Sequence, residues 1–248
     1  MKSSTMGILG GLAVVVLSAA ITFFYLSEPT PKVGAPASPP AGALPTSSVP
    51  ERPGYNLAWP SQDFANSKYR ADFVQVIANE GTAPDGTKTA ARLTEMAANN
   101  LHRIEVSIGG LASGGIHTIS LFVKPVERSG IILEVRDNPN GNYGSARFVL
   151  NEGETASKSG DVVNAGIKAV ENGWYRVWAT MPFVTNQAAV DVDLLSQEGG
   201  GFYEGDGKSG LMIWGLQLET ARMPGPYATT TTEPSGATSK TEPEKAVK

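Results

Sequence analysis

Apolar and polar residues alternate repeatedly between Tyr55 and Tyr227. The alternation is clearest in four segments: Leu101–Ile108, Ile116–Lys124, Ile131–Arg136 and Ala188–Leu195. Successive side chains of a strand point to opposite faces, so a period of two indicates half-buried antiparallel strands. In the last segment the pattern places the apolar residues inward and Asp191 and Asp193 outward.

Clusters of turn residues separate these segments. They are Pro84–Gly86, Gly109–Gly110, Ser113–Gly115, Asp137–Asn142, Asn172–Gly173 and Gly199–Gly201. About nine short strands with regular turns and no amphipathic helix are typical of a sandwich or jelly roll. The sequence therefore predicts one all-β domain over residues 55–227, an antiparallel jelly-roll β-sandwich.

The predicted strand Trp174–Met181 separates aliphatic from aromatic positions. Alternation places Tyr175, Val177, Ala179 and Met181 on one face and Trp174, Arg176 and Trp178 on the other. The aliphatic face is expected to point to the core, which leaves two tryptophans beside an arginine on the other side. A second tryptophan-containing strand near the C-terminus has Trp214 on one face with Met212, Leu216 and Leu218, and we interpret Trp214 as a core residue.

The N-terminus predicts a membrane anchor. Residues 7–26 carry no charge and form an apolar run of about 20 residues, enough to cross a bilayer as a helix. A cleaved signal peptide is the competing interpretation, but the nearest small-x-small pattern, Ala35–Ala37, lies well downstream. Lys2 before the run favours a body on the extracytoplasmic side of a bacterial cell membrane.

The segments that flank the body differ from it in composition. Residues 27–54 are rich in proline and alanine, which is typical of a semi-rigid spacer. Residues 228–248 are polar and are predicted to be disordered. The expected organisation is therefore an uncleaved anchor at 1–26, a spacer at 27–54, the sandwich at 55–227 and a polar tail.

Charge and cysteine content exclude several classes of function. The chain has 20 basic and 24 acidic residues, a net charge of −4 and no basic block, so a nucleic-acid partner is not expected. It has no cysteine, which excludes disulfides, thiolate metal sites and thiol catalysis.

Candidate catalytic groups are few. His102 and His117 lie on the apolar faces of predicted strands and are interpreted as structural. Asp191 and Asp193 share a strand face about 7 Å apart. A solvated outer face, a contact with ligand or, less simply, acid–base catalysis would explain them. No hydrolase or metalloprotease motif occurs in the sequence.

A loop rich in oxygen ligands, Asp137–Asn142, lies between two strand patterns. Asn and Gly supply hairpin geometry there, and Pro139 interrupts the ligand spacing of calcium loops. We predict a hairpin turn and no cofactor, and leave open a structural calcium ion at another place.

Several short motifs recur in one order along the body. They are Asn56-Leu57 with Ser61, Asp63-Phe64 and Asn66; Ala83–Thr87 with Ala91–Glu95; His117–Lys124; Asn172–Arg176; and Gly205–Gly207 with Ile213–Gly215 and Gln217–Glu219. In this order they resemble the jelly-roll, lectin-like domain of phage fibre proteins and bacterial surface proteins. The resemblance implies a carbohydrate-binding or galactose-binding-like fold. The chain departs from it at His117 and at Lys68-Tyr69, where the family tends to have tyrosine and tryptophan.

The leading hypothesis is a membrane-tethered extracytoplasmic module that binds a glycan or polysaccharide and has no catalytic activity. An aromatic face for the sugar ring and polar groups for its hydroxyls predict a set of ligand-binding residues. The set is Trp178, Trp174, Arg176, Tyr143, Tyr203, Asp191 and Asp193. A structural protein of the cell envelope that binds a protein partner or its own copies is the alternative, and a glycan-active enzyme is the third.

Overall fold

The computed structural model of the protein describes residues 49–137 and 141–233. The predicted anchor, most of the spacer and most of the polar tail lie outside these residues. Within the two described ranges, no helix is long and apolar enough to span a bilayer.

The described chain folds into strands connected by turns. In chain order the strands are β1 Tyr69–Asp72, β2 Val74–Gly81, β3 Ala90–Glu95, β4 Asn99–Leu101, β5 Arg103–Gly109, β6 Ile116–Pro125, β7 Gly130–Asp137, β8 Tyr143–Val149, β9 Glu154–Gly160, β10 Asn164–Ala169, β11 Tyr175–Pro182, β12 Gln187–Leu194, β13 Phe202–Glu204 and β14 Gly210–Glu219. Two short 3₁₀ turns, Leu150–Glu152 and Glu171–Gly173, are the helical elements of the described residues. The prediction of an all-β domain is confirmed.

Two six-stranded antiparallel sheets form the sandwich. Sheet A has the order β1-β5-β12-β7-β8-β9, and sheet B has the order β10-β11-β6-β14-β3-β2. Strands β4 and β13 form a separate two-stranded sheet. Neighbours such as β11 and β12 belong to opposite sheets although they follow each other in the chain, and this separation decides which predicted residues can meet.

The core lies between the sheets and is built by the predicted alternation. Ile104 and Val106 from sheet A and Ile119 and Leu121 from sheet B belong to one buried apolar cluster. His102 and His117 are fully buried as well. His117 packs edge-on against Phe183, and burial lowers its pKa to about 4, so its ring is neutral at pH 7.

A bulge in β14 changes the predicted faces of that strand. The register with β6 shifts between Trp214 and Gln217, and Gly215 adopts a φ of 65°. Trp214 is buried as predicted, but on the outer side of sheet B with Met212. Leu216 and Leu218 face the main core instead. Their placement on the Trp214 face was wrong because a strict period of two does not allow for an inserted residue.

The segment 220–231, called here the C-terminal strap, crosses the outer side of sheet B. The Thr118 hydroxyl donates to the Ala221 carbonyl, and the Arg176 guanidinium donates to the Gly225 carbonyl. The Tyr227 ring packs against Trp214 with ring centroids 4.5 Å apart. The backbone amide of Thr230 donates to the Ser61 hydroxyl. The strap therefore covers much of this outer surface with residues of the same chain.

The structure contains the predicted hairpin between β7 and β8. Strands β7 and β8 pair antiparallel, with Arg136 opposite Tyr143. The buried Asp137 carboxylate accepts backbone hydrogen bonds from Val184 and Thr185 and so ties the hairpin to the neighbouring loop. Among the described residues, no group of three or more His, Asp or Glu side chains is placed to hold a metal ion.

Candidate functional site

The outer side of sheet A carries a dense set of charged side chains. Alternation turns the apolar residues of β5, β12 and β7 to the core and their charged residues outward. In the central row, Asp191 lies directly opposite Glu105 on one side and Glu134 on the other. In the next row, Asp193 lies between Arg103 and Ile132. These side chains, together with Arg136 and Tyr143, form the surface called here the sheet A face.

Arginines pair with two of the three carboxylates in the central row of this face. Arg136 donates to Asp191 at 2.7 Å and to Glu105 at 2.6 Å. Arg103 approaches Asp191 at 3.8 Å, and Arg70 donates to Glu105 at 3.1 Å. The carboxylates of Asp191 and Glu105 therefore both hold Arg136 in place.

Asp191 and Asp193 are not solvated, contrary to one of the sequence-based interpretations. They point outward as predicted, but the Asp191 side chain is 0% exposed and Asp193 is buried as well. One carboxyl oxygen of each has no hydrogen-bond partner among the described residues. The expectation of solvated side chains was wrong because long arginine and glutamate side chains from both neighbouring strands close over the two shorter aspartates.

Burial shifts the ionisation of these aspartates. It raises the pKa of Asp193 to about 7, and the nearby carboxylate of Glu134 adds to the shift. It also raises the pKa of Asp191 to about 7, although Arg136 and Arg103 oppose the shift. Burial also opposes ionisation of Glu105, but its hydrogen bonds and its arginine partners hold its pKa below the ordinary value. Glu105 is therefore the ionised member of the Glu105–Asp191 pair at the pH where Asp191 titrates.

Tyr143 stands at the accessible part of the sheet A face. The residue is 44% exposed, and its hydroxyl donates to the Glu134 carboxylate at 3.1 Å. Its neighbour across the β7–β8 pair is Arg136, whose side chain is 38% exposed. An open aromatic ring thus lies next to a guanidinium and a carboxylate, all three reachable from solvent.

The predicted tryptophan–arginine cluster of β11 lies on the opposite side of the sandwich. Trp174 is 1% exposed and donates through Nε1 to the Thr82 carbonyl at 3.2 Å. Arg176 donates to the strap at Gly225 and to the Ser120 hydroxyl. Both side chains are engaged in holding the outer layer of sheet B.

Trp178 is half-buried on the same side. Gly166 of β10 lies opposite it, and a Cβ at that glycine would overlap the indole ring. The Nε1 atom of Trp178 is buried and has no hydrogen-bond partner among the described residues. Because β11 belongs to sheet B and β12 to sheet A, Trp178 does not meet Asp191 or Asp193.

Tyr203 lies in the small two-stranded sheet, away from both surfaces. Its hydroxyl donates to Glu95 at 2.8 Å, and its ring packs against His102 with centroids 4.6 Å apart. Glu95 is fully buried and also accepts two hydrogen bonds from Arg128. Burial opposes ionisation of Glu95, but Arg128, the Asp206 amide and Tyr203 together hold its pKa below the ordinary value. Tyr203 therefore forms part of a buried polar network.

The structure adds four neighbouring residues to three of the predicted ligand-binding residues. Tyr143, Asp191 and Asp193 come together on the sheet A face with Arg103, Glu105, Glu134 and Arg136. Alternation alone marks these four as outward-facing. Their meeting depends on the pairing of β12 between β5 and β7, which joins strands distant in sequence.

Two solved structures of carbohydrate-binding modules match part of the chain. The module TmCBM61, determined in complex with β-1,4-galactotriose, shares 13% identity with a TM-score of 0.39 over 67% of this chain and 99% of the module. The xylan-binding domain CBM22-1 of Xyn10C from Paenibacillus barcinonensis shares 13% identity with a TM-score of 0.40 over 69% of this chain and 99% of that domain.

A solved structure of a phage protein also matches part of the chain. The enzymatically active domain of tailspike protein 4 from bacteriophage CBA120 shares 12% identity with a TM-score of 0.41 over 66% of this chain and 21% of the phage chain. No protein-family model and no curated protein matches the sequence. These matches, at 13% identity or less and with TM-scores of 0.41 or less, do not identify a ligand.

Proposed function

We propose that the protein is a carbohydrate-binding module that holds a glycan on the sheet A face. The observation that carries this proposal is the exposed Tyr143 ring beside Arg136 and Glu134. A sugar ring packs its apolar side on an aromatic ring, while its hydroxyls need donors and acceptors close by. Arg136 supplies donors and Glu134 supplies acceptors at that position.

The buried carboxylates serve this face by positioning its arginine. Asp191 and Glu105 both bind Arg136, so the guanidinium is oriented before any ligand arrives. A group held in place beforehand loses less conformational entropy on binding than a free side chain does. Asp191 is therefore proposed as a positioning residue, and Tyr143, Arg136 and Glu134 as the groups that touch the ligand.

A binding role without catalysis fits the carboxylates better than hydrolysis does. Glycoside hydrolysis requires two carboxyl groups that reach the glycosidic bond, one of them protonated. On the sheet A face, the carboxyls with raised pKa, Asp191 and Asp193, are buried. Glu105 is paired with two arginines and has a lowered pKa. We expect no release of reducing sugar from a bound glycan.

The proposed location is the outer surface of a bacterial cell membrane. The uncharged run at residues 7–26 supports a tether, and the proline-rich segment that follows supports a spacer between the bilayer and the body. Two experiments on cells that express the full chain test this part of the proposal. The chain should fractionate with the membrane, and protease added to intact cells should degrade the body.

A glycan array with the full chain and two variants tests the binding proposal. Tyr143→Ala removes the exposed ring of the sheet A face, and Trp178→Ala removes the half-buried indole of the opposite side. We expect selective binding by the parent chain, a loss of at least about tenfold in affinity for Tyr143→Ala, and little change for Trp178→Ala. Binding that survives Tyr143→Ala and is lost in Trp178→Ala would place the ligand on sheet B and overturn the proposal.

A further inference from the structure

One arginine of sheet A lacks the partners that the other arginines of the same outer surface have. Arg70, Arg103 and Arg136 each form ion pairs with carboxylates. Among the described residues, Arg147 of β8 has no side chain or carbonyl as a hydrogen-bond or ion-pair partner, and its Nε atom is buried without one. Buried polar groups are nearly always satisfied, so an orphaned guanidinium nitrogen indicates a missing partner.

Arg147 lines a cavity of about 250 Å³ at the end of the sheet. The other walls include Val149, Leu195, Ser196, Glu198 and Gly199. A tight turn shapes one wall, because the Ser196 amide donates to the Gly200 carbonyl and the Gly200 amide donates to the Ser196 hydroxyl. A Cβ at Gly199 would lie 3.8 Å from an Arg147 terminal nitrogen, so the guanidinium lies directly against this turn.

The cavity adjoins the proposed glycan site. Arg147 lies opposite Ile132 of β7, and Ile132 lies opposite Asp193 of β12. Two strand spacings, about 10 Å, therefore separate Arg147 from Asp193 across the sheet. Tyr143 and Arg147 lie four positions apart along β8, a distance of about 13 Å. A short oligosaccharide bound at Tyr143 would have its next units within reach of the cavity.

We propose that this cavity binds an anionic group of the glycan, the carboxylate of a uronic acid or a sulfate ester. The inference rests on the proposed function and names the class of sugar. A guanidinium presents paired N–H donors that match the oxygens of a carboxylate or sulfate, and it binds them more strongly than it binds neutral hydroxyls. The cavity size suits one sugar unit, since it lies below the roughly 300 Å³ of the smallest drug-sized pockets.

Glu198 is the opposing charge in the cavity. It is exposed and forms no ion pair with Arg147. Water and salt screen an exposed charge, so its repulsion weakens anion binding without preventing it. Glu198 therefore provides a variant with the opposite expected effect: removal of its charge should strengthen binding of an acidic glycan, whereas removal of the Arg147 charge should weaken it.

Calorimetric titrations of the full chain with three probes test the proposal. The probes are oligogalacturonate, its methyl ester, which has the same backbone without charge, and carrageenan oligosaccharides, which carry sulfate esters and no carboxylate. We expect the parent chain to prefer a charged probe over the uncharged ester by about tenfold or more. The carboxylate and sulfate arms decide which anion the cavity takes.

Tyr143→Ala and three further variants accompany the titrations. Arg147→Gln should abolish the preference for charge while it leaves thermal unfolding and binding of the ester unchanged. Glu198→Gln should increase the affinity for the charged probe several-fold. Lys168→Gln, which removes an exposed positive charge on β10 of sheet B, controls for nonspecific attraction and should change little.

The outcomes separate this inference from the proposed function. Equal binding of the charged and uncharged probes, or a preference that survives Arg147→Gln, overturns the anionic site but leaves the glycan proposal standing. A preference that depends on Arg147 and not on Tyr143 supports the anionic site and overturns the sheet A face as the glycan site. Failure of the full chain to bind these probes or any neutral glycan on the array overturns both.

Discussion

At the scale of single residues, the two aspartates of β12 show how burial changes the meaning of a sequence pattern. Alternation correctly turned Asp191 and Asp193 away from the apolar core. It could not show that arginines and glutamates from two neighbouring strands would cover them. The result is a pair of carboxyls whose pKa values lie near neutrality, and that property has a measurable consequence.

Stability should fall as pH rises through the titration of Asp193. The pKa of Asp193 is raised to about 7 in the folded chain, above the ordinary value of about 3.9. The folded chain therefore binds more protons than the unfolded chain between these two pH values, and the free energy of unfolding decreases across that window. Because Asp193→Asn cannot ionise, it should be more stable than the parent at pH 8 by over ~1 kcal/mol and similar to it near pH 4.

Urea unfolding of the full chain at a series of pH values measures this effect. Glu80→Gln serves as the matched control, because Glu80 is exposed on β2 in the other sheet. Parallel profiles for the parent and Asp193→Asn, separated by a constant offset, would contradict the assignment of this titration to Asp193.

At the scale of elements, strands were easier to predict than the irregularities within them. The alternating segments of β5, β6, β7 and β12 have the predicted faces. Each is a strand without a bulge, and it packs its apolar face against the opposite sheet. The bulge at Gly215 in β14 reverses the faces that follow it. A lone glycine in a strand is compatible with a bulge, but only the pairing with β6 shows which side of it each apolar residue takes.

The bulge predicts a cost for a side chain at Gly215. Its φ of 65° disfavours other residues, and an added Cβ would lie 3.0 Å from the Tyr227 ring. Gly86 has a φ of 85° but open space around it, so Gly86→Ala isolates the backbone cost of about 1 kcal/mol. Gly215→Ala should lower the free energy of unfolding by a larger amount, about 2 kcal/mol in total, because the strap must also shift. Equal losses in the two variants by chemical denaturation would contradict the close packing of strap and bulge.

At the scale of the whole molecule, the two outer surfaces of the sandwich differ in accessibility. The strap of residues 220–231 covers much of sheet B and engages Arg176 and Trp214, whereas Tyr143 and Arg136 remain open on sheet A. The sequence predicted Trp174, Arg176 and Trp178 on one strand as ligand-binding residues, together with Tyr143, Tyr203, Asp191 and Asp193 elsewhere in the chain. The separation of the β11 residues from the two aspartates of β12 follows from the crossover between β11 and β12, which local alternation does not encode.

The central claim is that a glycan binds on the sheet A face, and amide hydrogen exchange tests it most directly. The full chain is compared with and without the glycan that binds best on the array. We predict slower exchange in residues 132–136, 143–147 and 189–193, with no change in residues 174–182 and 220–231. Protection confined to 174–182 and 220–231 would place the ligand on the opposite side and contradict the account.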